Sequence, residues 1–269
     1  MAWLAPDARF DPDAFDAPVL GICSALGDHD SGRHRHGRGQ VLFTRQGCVR
    51  IQTPGRLCLL PPTQAAWIPA GLEHRARMRE TVDYRSLYFS AVLNVELPDD
   101  VTIISVNPLL RELLERIAQA PFDTAWDRGD QAHLLALCLG ELRLAPRQPM
   151  FLPLPGDRRL AGLVERLERL PPALGELARQ VGASEKTISR LLRRDTGMSY
   201  QQWRQQWRLL RAMEQLALQR PLGAIADDLG FASDSAFIAF FRGMTGTTPG
   251  AWNRGAATGP DRPGDRPPA

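Results

Sequence analysis

Between residues 184 and 194 one short run gathers the groups that could read a polyanion: Lys186, Thr187, Ser189, Arg190, Arg193 and Arg194. Ile188, Leu191 and Leu192 recur three and four apart, so on a helix they turn inward and leave the six polar side chains outward or flanking. Short polar groups near the helix start, followed by three arginines, suit entry into a major groove.

Such a helix needs a partner to hold it. Leu174, Leu177, Ala178 and Val181 line one face of a short preceding helix, Gly182 permits the left-handed backbone that ends it, and Ser184 can cap the next one. The pattern then repeats. Leu222, Ile225, Ala226 and Leu229 form the inner face of a second leading helix, Gly230 turns, Ser233 caps, and Phe237, Phe240 and Phe241 supply an aromatic core for its partner. Between the two motifs lies one helical segment, residues 199–219. About 20 residues at 1.5 Å each span roughly 30 Å, close to one turn of B-DNA, so two groove-entering helices could address successive major grooves.

Residues 174–252 resemble the DNA-binding domain of AraC/XylS-type transcriptional regulators. The agreement runs through Ala178…Gly182-Ala-Ser184, Leu191-Leu192, Asp195-Thr-Gly197-Met-Ser199, Trp203-Arg204, Arg208-Leu209…Ala212, Ile225-Ala226…Leu229-Gly230-Phe231, Ser233…Phe237…Phe240-Phe241 and Gly246-Thr-Thr-Pro249. That density over some 80 residues is far more specific than a lone helix-turn-helix. The resemblance implies that Lys186, Ser189 and Arg190 read bases, with Lys or Arg on guanine as the main contacts. Thr187, Arg193, Arg194 and Arg204 are better placed for phosphates, although charge at a helix C-terminus explains Arg193 and Arg194 equally well. The matching positions of the second motif are Asp234, Ser235, Ile238 and Ala239, which hold no base-reading cation. The first motif is therefore expected to carry most readout, and the second to dock on the backbone through Ser235 and Arg242.

Composition agrees with a polyanion partner. Residues 157–254 hold 15 Lys/Arg against 10 Asp/Glu, residues 1–156 hold 16 against 18, and the chain totals +3. The basic C-terminal half fits phosphate contacts, although ordinary solvated helix faces would look similar by charge alone. The 269 residues, 43% hydrophobic, suffice for two cored domains. No run is long enough to span a bilayer, and the acidic, Pro-containing start does not resemble a signal peptide, so a cytoplasmic location is expected. Cys23, Cys48, Cys58 and Cys138 lack C-x-x-C spacing and suit reduced, buried thiols.

Short alternating strands are predicted over residues 19–23, 39–44, 48–53, 56–60, 65–68, 73–78 and 82–89, punctuated by Gly and Pro as in a small β-barrel or sandwich. Within them, His34-Arg-His36-Gly-Arg-Gly-Gln40…Gly47 and Pro69-Ala-Gly71-Leu-Glu-His74 resemble the two cupin motifs, with Gln40 where cupins place glutamate. The resemblance implies a cupin-like β-barrel in which His34, His36, Gln40 and His74 converge on a divalent metal, the neutral amide being a weaker ligand than a carboxylate. Two other readings stand beside it: a metal-free effector pocket, and histidines satisfied by backbone.

Residues 107–145 turn helical, with leucine stripes that suit intramolecular core and that, by the family resemblance, also suit a homodimer contact. The expected division is a sensing barrel over 1–106, a helical segment over 107–145, a Pro-rich linker over 146–156, a double helix-turn-helix domain over 157–254 and a disordered tail over 255–269. The expected fold class is thus α+β, a cupin-like barrel and helices followed by an all-α domain with two helix-turn-helix motifs joined by a long helix. The function implied is sequence-specific promoter binding under control of a small molecule or metal, with RNA polymerase a candidate partner and no enzymatic activity. The alternative is a metal-dependent cupin enzyme with an appended helical interaction domain.

Overall fold

The computed structural model describes residues 3–6, 8–93, 96–148 and 150–257. The described residues form eleven strands: β1 Val19–Leu26, β2 His29–Asp30, β3 Gly39–Thr44, β4 Val49–Thr53, β5 Arg56–Leu60, β6 Gln64–Ile68, β7 Arg75–Met78, β8 Val82–Phe89, β9 Thr102–Ser105, β10 Arg147–Gln148 and β11 Phe151–Pro153. Helices α1 Pro108–Ala118 and α2 Gly129–Leu144 lie between β9 and β10. The C-terminal helices are α3 Ala161–Glu165, α4 Leu174–Gln180, α5 Glu185–Thr196, α6 Tyr200–Ala217, α7 Leu222–Asp228, α8 Asp234–Thr245 and α9 Pro249–Ala257. Most of the tail expected at the C-terminus, from residue 258, lies outside the described residues.

The strands form two antiparallel sheets, in the orders β1-β8-β3-β6-β9-β10 and β11-β5-β4-β7-β2. Neither closes on itself, so the expected cupin-like barrel is incorrect: the N-terminal sheet is open. The chain leaves one sheet for the other at Pro61-Pro62, where two residues without an N–H cannot continue the β5 ladder into β6. Alternation along each strand then sorts side chains to two cores. Leu20, Ile22, Leu42, Ala66, Ile68 and Tyr88 share one core with Val49, Ile51, Leu60 and Met78 of the other sheet. Val19, Cys23, Val41, Phe43, Trp67 and Leu87 pack instead against Leu110, Leu114, Ile117, Leu135 and Cys138 of α1 and α2. Gly21 makes this close approach fit, because a Cβ there would stand 2.3 Å from Ile117 O.

The segment read as a linker supplies β10 and β11. Both are edge strands, and Pro153 is tolerated in β11 because an edge residue need not donate to the ladder. β11 also leads into the C-terminal helices. Trp203 Nε1 on α6 donates to Pro153 O at 2.7 Å, and Gln206 Nε2 donates to Phe151 O at 3.3 Å. Next to these contacts Arg50 on β4 makes a two-pronged ion pair with Glu214 on α6, Nε to Oε1 at 2.8 Å and Nη2 to Oε2 at 2.7 Å. One face of α6 is thereby fastened to the outer side of the five-stranded sheet.

Candidate nucleic-acid interface and histidine cluster

Each helix-turn-helix is built by local rules. α4 ends on Gly182 at φ +65°, and Ser184 caps α5 by accepting from Thr187 N–H at 3.2 Å. Gly197, at φ +74°, stops α5, with its N–H on Arg193 O. α6 opens with a capping box in which the Ser199 hydroxyl accepts from Gln202 N–H and the Gln202 carboxamide accepts from Ser199 N–H. α7 and α8 repeat the first pair, with Gly230 at φ +70°, Ser233 as cap on Ala236 N–H, and Gly246 at φ +77°.

On α5, Ile188, Leu191 and Leu192 are buried, while Lys186, Arg190 and Arg193 are exposed and make no ion pair or side-chain hydrogen bond among the described residues. Ser189 and Thr187 are half-buried. Thr187 spends its hydroxyl on Ser184 Oγ at 2.9 Å. Arg194 is 60% exposed but already paired, 2.7 Å to Asp195 and 3.5 Å to Asp157. Arg204 is turned inward enough to donate from Nε to Pro171 O at 2.7 Å.

α8 presents Asp234, Ser235 and Ala239 to solvent, with Arg242 exposed and unpaired among the described residues. Phe237 and Phe241 are fully buried, and Phe231 in the turn packs against Phe237 and Phe240. The two outer faces thus differ in charge, as their sequences anticipate.

In the N-terminal half, the backbones of His34 and His74 bond to each other at 3.0 and 2.9 Å. This sets their rings 4.3 Å apart, and His36, two residues on and so on the same side of the extended chain, closes to 5.1 Å from His74. One ring nitrogen from each histidine falls within 4.8 Å of the others. Every Nδ1 has a backbone carbonyl: Gly32 O at 3.1 Å from His34, Arg38 O at 2.7 Å from His36 and Leu72 O at 2.9 Å from His74. With Nδ1–H donating, Nε2 is left as a bare lone pair, the arrangement by which outer-shell groups orient metal-binding imidazoles. His74 Nε2 is buried with no partner. Burial pushes His74 down to about 4 and lowers His36 as well, so both are neutral near pH 7.

Gln40 sits beside them with Oε1 at 3.2 Å from His36 Nε2 and Nε2 donating to Ser86 Oγ at 2.8 Å. Two acceptors facing each other want a shared cation, or a half-turn of the amide that hands an N–H to the imidazole. The sequence reading missed the hydroxyls of Tyr84, Ser86 and Tyr88, which alternate along β8 and hold this amide. It also missed Phe10, Phe15 and Phe122, which cluster against Tyr88 next to His36. A period-two run of hydroxyls was the signal for the first group. The second assembles from distant segments and left none. The three imidazoles form a cluster able to coordinate a divalent metal.

Two family models match the chain, one described as an AraC-like ligand binding domain over residues 19–139 and one as a helix-turn-helix domain over residues 177–255. The chain is 29% identical to the HTH-type transcriptional regulator NimR of Escherichia coli (strain K12) over 250 residues, 90% of this chain and 90% of that protein. It is 32% identical to the HTH-type transcriptional regulator RipA of Corynebacterium glutamicum over 106 residues, 38% of this chain and 32% of that one. The crystal structure of ToxT from Vibrio cholerae O395 aligns with 90% of this chain and 97% of its own at 10% identity and a TM-score of 0.36, a likeness too loose to bear on function.

Proposed function

We propose that the chain is a helix-turn-helix transcription regulator of the AraC/XylS family, a reading supported by the two matching family models and by the regulator that aligns over 90% of both chains, that α5 carries most of its sequence readout and that an effector seated at the histidine cluster controls it. The enzyme reading is set aside because the relative matched along 90% of its length is a regulator. A regulator that reads promoter DNA works in the cytoplasm. No described helix is long and apolar enough to cross a membrane.

The observation that carries the division of labour is the contrast between the outer faces: unpaired Lys186, Arg190 and Arg193 on α5 against Asp234, Ser235 and Ala239 on α8. Lys186, Ser189 and Arg190 read base edges. Arg193, Ser235 and Arg242 hold phosphates, with Thr187, Arg194 and Arg204 contributing less because each already has a partner within the fold. Arg190→Ala is expected to cost about 1–3 kcal/mol of discrimination at one base pair while leaving general affinity largely intact. Selection of binding sites from a random duplex pool, repeated with the variant, reads this directly. A larger loss of discrimination in Asp234→Ala or Ile238→Ala would reverse the assignment.

For the effector, His34, His36 and His74 supply three neutral nitrogens, with Gln40 Oε1 as a weak fourth donor. Such a set suits a borderline divalent cation such as zinc better than magnesium or calcium, which want oxygen. Bound there, the metal would offer an open position to a small molecule, with Tyr88 against His36 and Phe10 against Tyr88 as the nearest aromatic neighbours. The full chain is expected to bind one equivalent of Zn²⁺ in equilibrium dialysis, and His74→Ala to weaken it at least about tenfold. Unchanged zinc binding in that variant would leave the cluster as a hydrogen-bonding pocket for a metal-free effector. Leu137, 48% exposed, and Leu144, 80% exposed, lie on the open side of α2 and offer a face for a second copy of the chain.

A further inference from the structure

The geometry points to a phosphodiester seat on α6, in the cleft between α5 and α6, where Arg204 and Arg208, with the amides of Gln201 and Gln205, grip the DNA backbone midway between the two reading helices. This rests on the DNA-binding reading above, in which Arg204 makes a lesser phosphate contact because its Nε is held by Pro171 O, and adds to it Arg208 and the two glutamines as the main part of a contact surface that lies on neither reading helix.

Residues 201, 204, 205 and 208 fall three and four apart, so they share one face of α6. The opposite face, with Trp203, Trp207 and Leu210, is buried, and Trp203 bonds to β11. The polar face opens instead on a cleft of about 430 Å³, lined also by Ser189 of α5 and by Ser199. No carboxylate lines it among the described residues.

Two side-chain atoms there are buried without partners: Gln205 Oε1 and Arg208 Nε. An unmet guanidinium N–H is costly to bury and asks for an acceptor. A half-turn of the Gln205 amide would turn its NH₂ the same way. Burial first, and the neighbouring Arg204 second, lower the pKa of Arg208. Two adjacent guanidiniums with no acid in their cleft are relieved by an anion.

Position selects which anion. α6 has 18 residues and spans about 27 Å, and residues 204–208 lie in its first half, near the middle. When helices at its two ends enter successive major grooves, the sugar–phosphate chains bordering the minor groove between them pass along that face. Arg208 also reaches the second motif, with Nη2 at 3.5 Å from Gly230 O and its guanidinium 5.0 Å from the centre of the Phe231 ring. One side chain therefore adjoins the cleft beside α5 and the turn before α8.

The test uses the full chain, a duplex recovered by site selection and a mixed-sequence duplex of equal length, with affinity followed from 50 to 200 mM salt. Arg208→Ala is expected to weaken both duplexes alike and to make the slope of log K against log salt shallower by about 0.9, roughly a threefold smaller loss of affinity over that range. Arg208→Lys should keep the slope. Gln201→Glu, at an exposed residue with no partner among the described residues, should weaken both duplexes several-fold without touching the fold. An unchanged slope in Arg208→Ala together with unchanged affinity in Gln201→Glu overturns the seat. Loss confined to the selected duplex, at constant slope, also overturns it, and assigns Arg208 to bracing Phe231. If the parent chain fails to prefer its selected duplex, the DNA-binding premise falls, and the seat with it.

Discussion

Trp203→Ala is expected to destabilise the chain by about 3–5 kcal/mol, the usual cost of emptying a large buried aromatic site. Trp203 has no exposed surface and is the largest fully buried side chain among the described residues. It stacks near Tyr200 at 6.4 Å between ring centres, and its indole N–H reaches across to Pro153 O, the last residue of β11. Truncation removes the ring from the core, takes the N–H donor away from Pro153 O and cuts a tie between β11 and α6. Trp203→Phe should cost less, since it keeps most of the volume and loses chiefly the bond to Pro153. The comparison is read by urea denaturation followed through near-ultraviolet circular dichroism. Equal midpoints for Trp203→Ala and the parent would mean that α6 is not anchored through this ring.

The same residue shows what a sequence can disclose about this fold. The period of three and four in residues 174–252, the caps at Ser184 and Ser233 and the glycines at 182 and 230 are local signals, and local hydrogen bonding decides them. They appear where expected. Sheet closure is not local. Alternation tells inward from outward residues but not whether the last strand returns to the first, so an open pair of sheets and a barrel write the same pattern. The prolines at 146, 153 and 155 likewise read as linker because proline is excluded from central strands, whereas β10 and β11 are edges. β9, with Thr102 and Ser105 at its ends, is too short to stand out from the loop before it.

At the histidine cluster, the spacing of His34, His36 and His74 was enough to bring the rings together. The backbone carbonyls that fix their tautomers depend on turns that no spacing encodes. Along α6 Gln201, Arg204, Gln205 and Arg208 recur three and four apart, a polar stripe that the sequence analysis did not single out. Its meaning depends on which face the β11 contact occupies, and that is tertiary.

Glu214→Gln is expected to cost about 3 kcal/mol for a different reason: it removes the carboxylate that takes both prongs of a buried guanidinium and leaves Arg50 with Glu168 alone. Arg50 and Glu214 are 8% and 9% exposed, and Glu214 takes both prongs of the guanidinium. Burial alone would lower the pKa of Arg50, yet Glu214 and then Glu168 outweigh it and hold Arg50 charged. Arg50 also contacts Glu168, and Arg211 contacts Glu214, so five groups including Arg79 share the seam between β4 and α6. Removing one carboxylate leaves three cations facing one anion in that seam. Replacing both members, Arg50→Met with Glu214→Leu, should recover most of the loss, because well-packed apolar groups often match a buried ion pair in stability. Glu168 and Arg211 would still face each other at 3.8 Å.

The consequence for regulation lies in the difference between those two variants. An effector changes DNA occupancy only through unequal affinity for two arrangements of the domains, and a directional ion pair favours one arrangement over neighbouring ones in a way that an apolar contact does not. The strand that carries Arg50 is paired with β7, which begins one residue after His74, with Arg50 opposite Arg77. A single ladder therefore separates the histidine cluster from the pair that grips α6. The double variant is expected to denature near the parent's midpoint and to lose much of the shift in DNA affinity that Zn²⁺ at the proposed effector site is expected to produce in the parent. A double variant as responsive as the parent would show that the signal crosses the seam elsewhere, through Trp203 and β11.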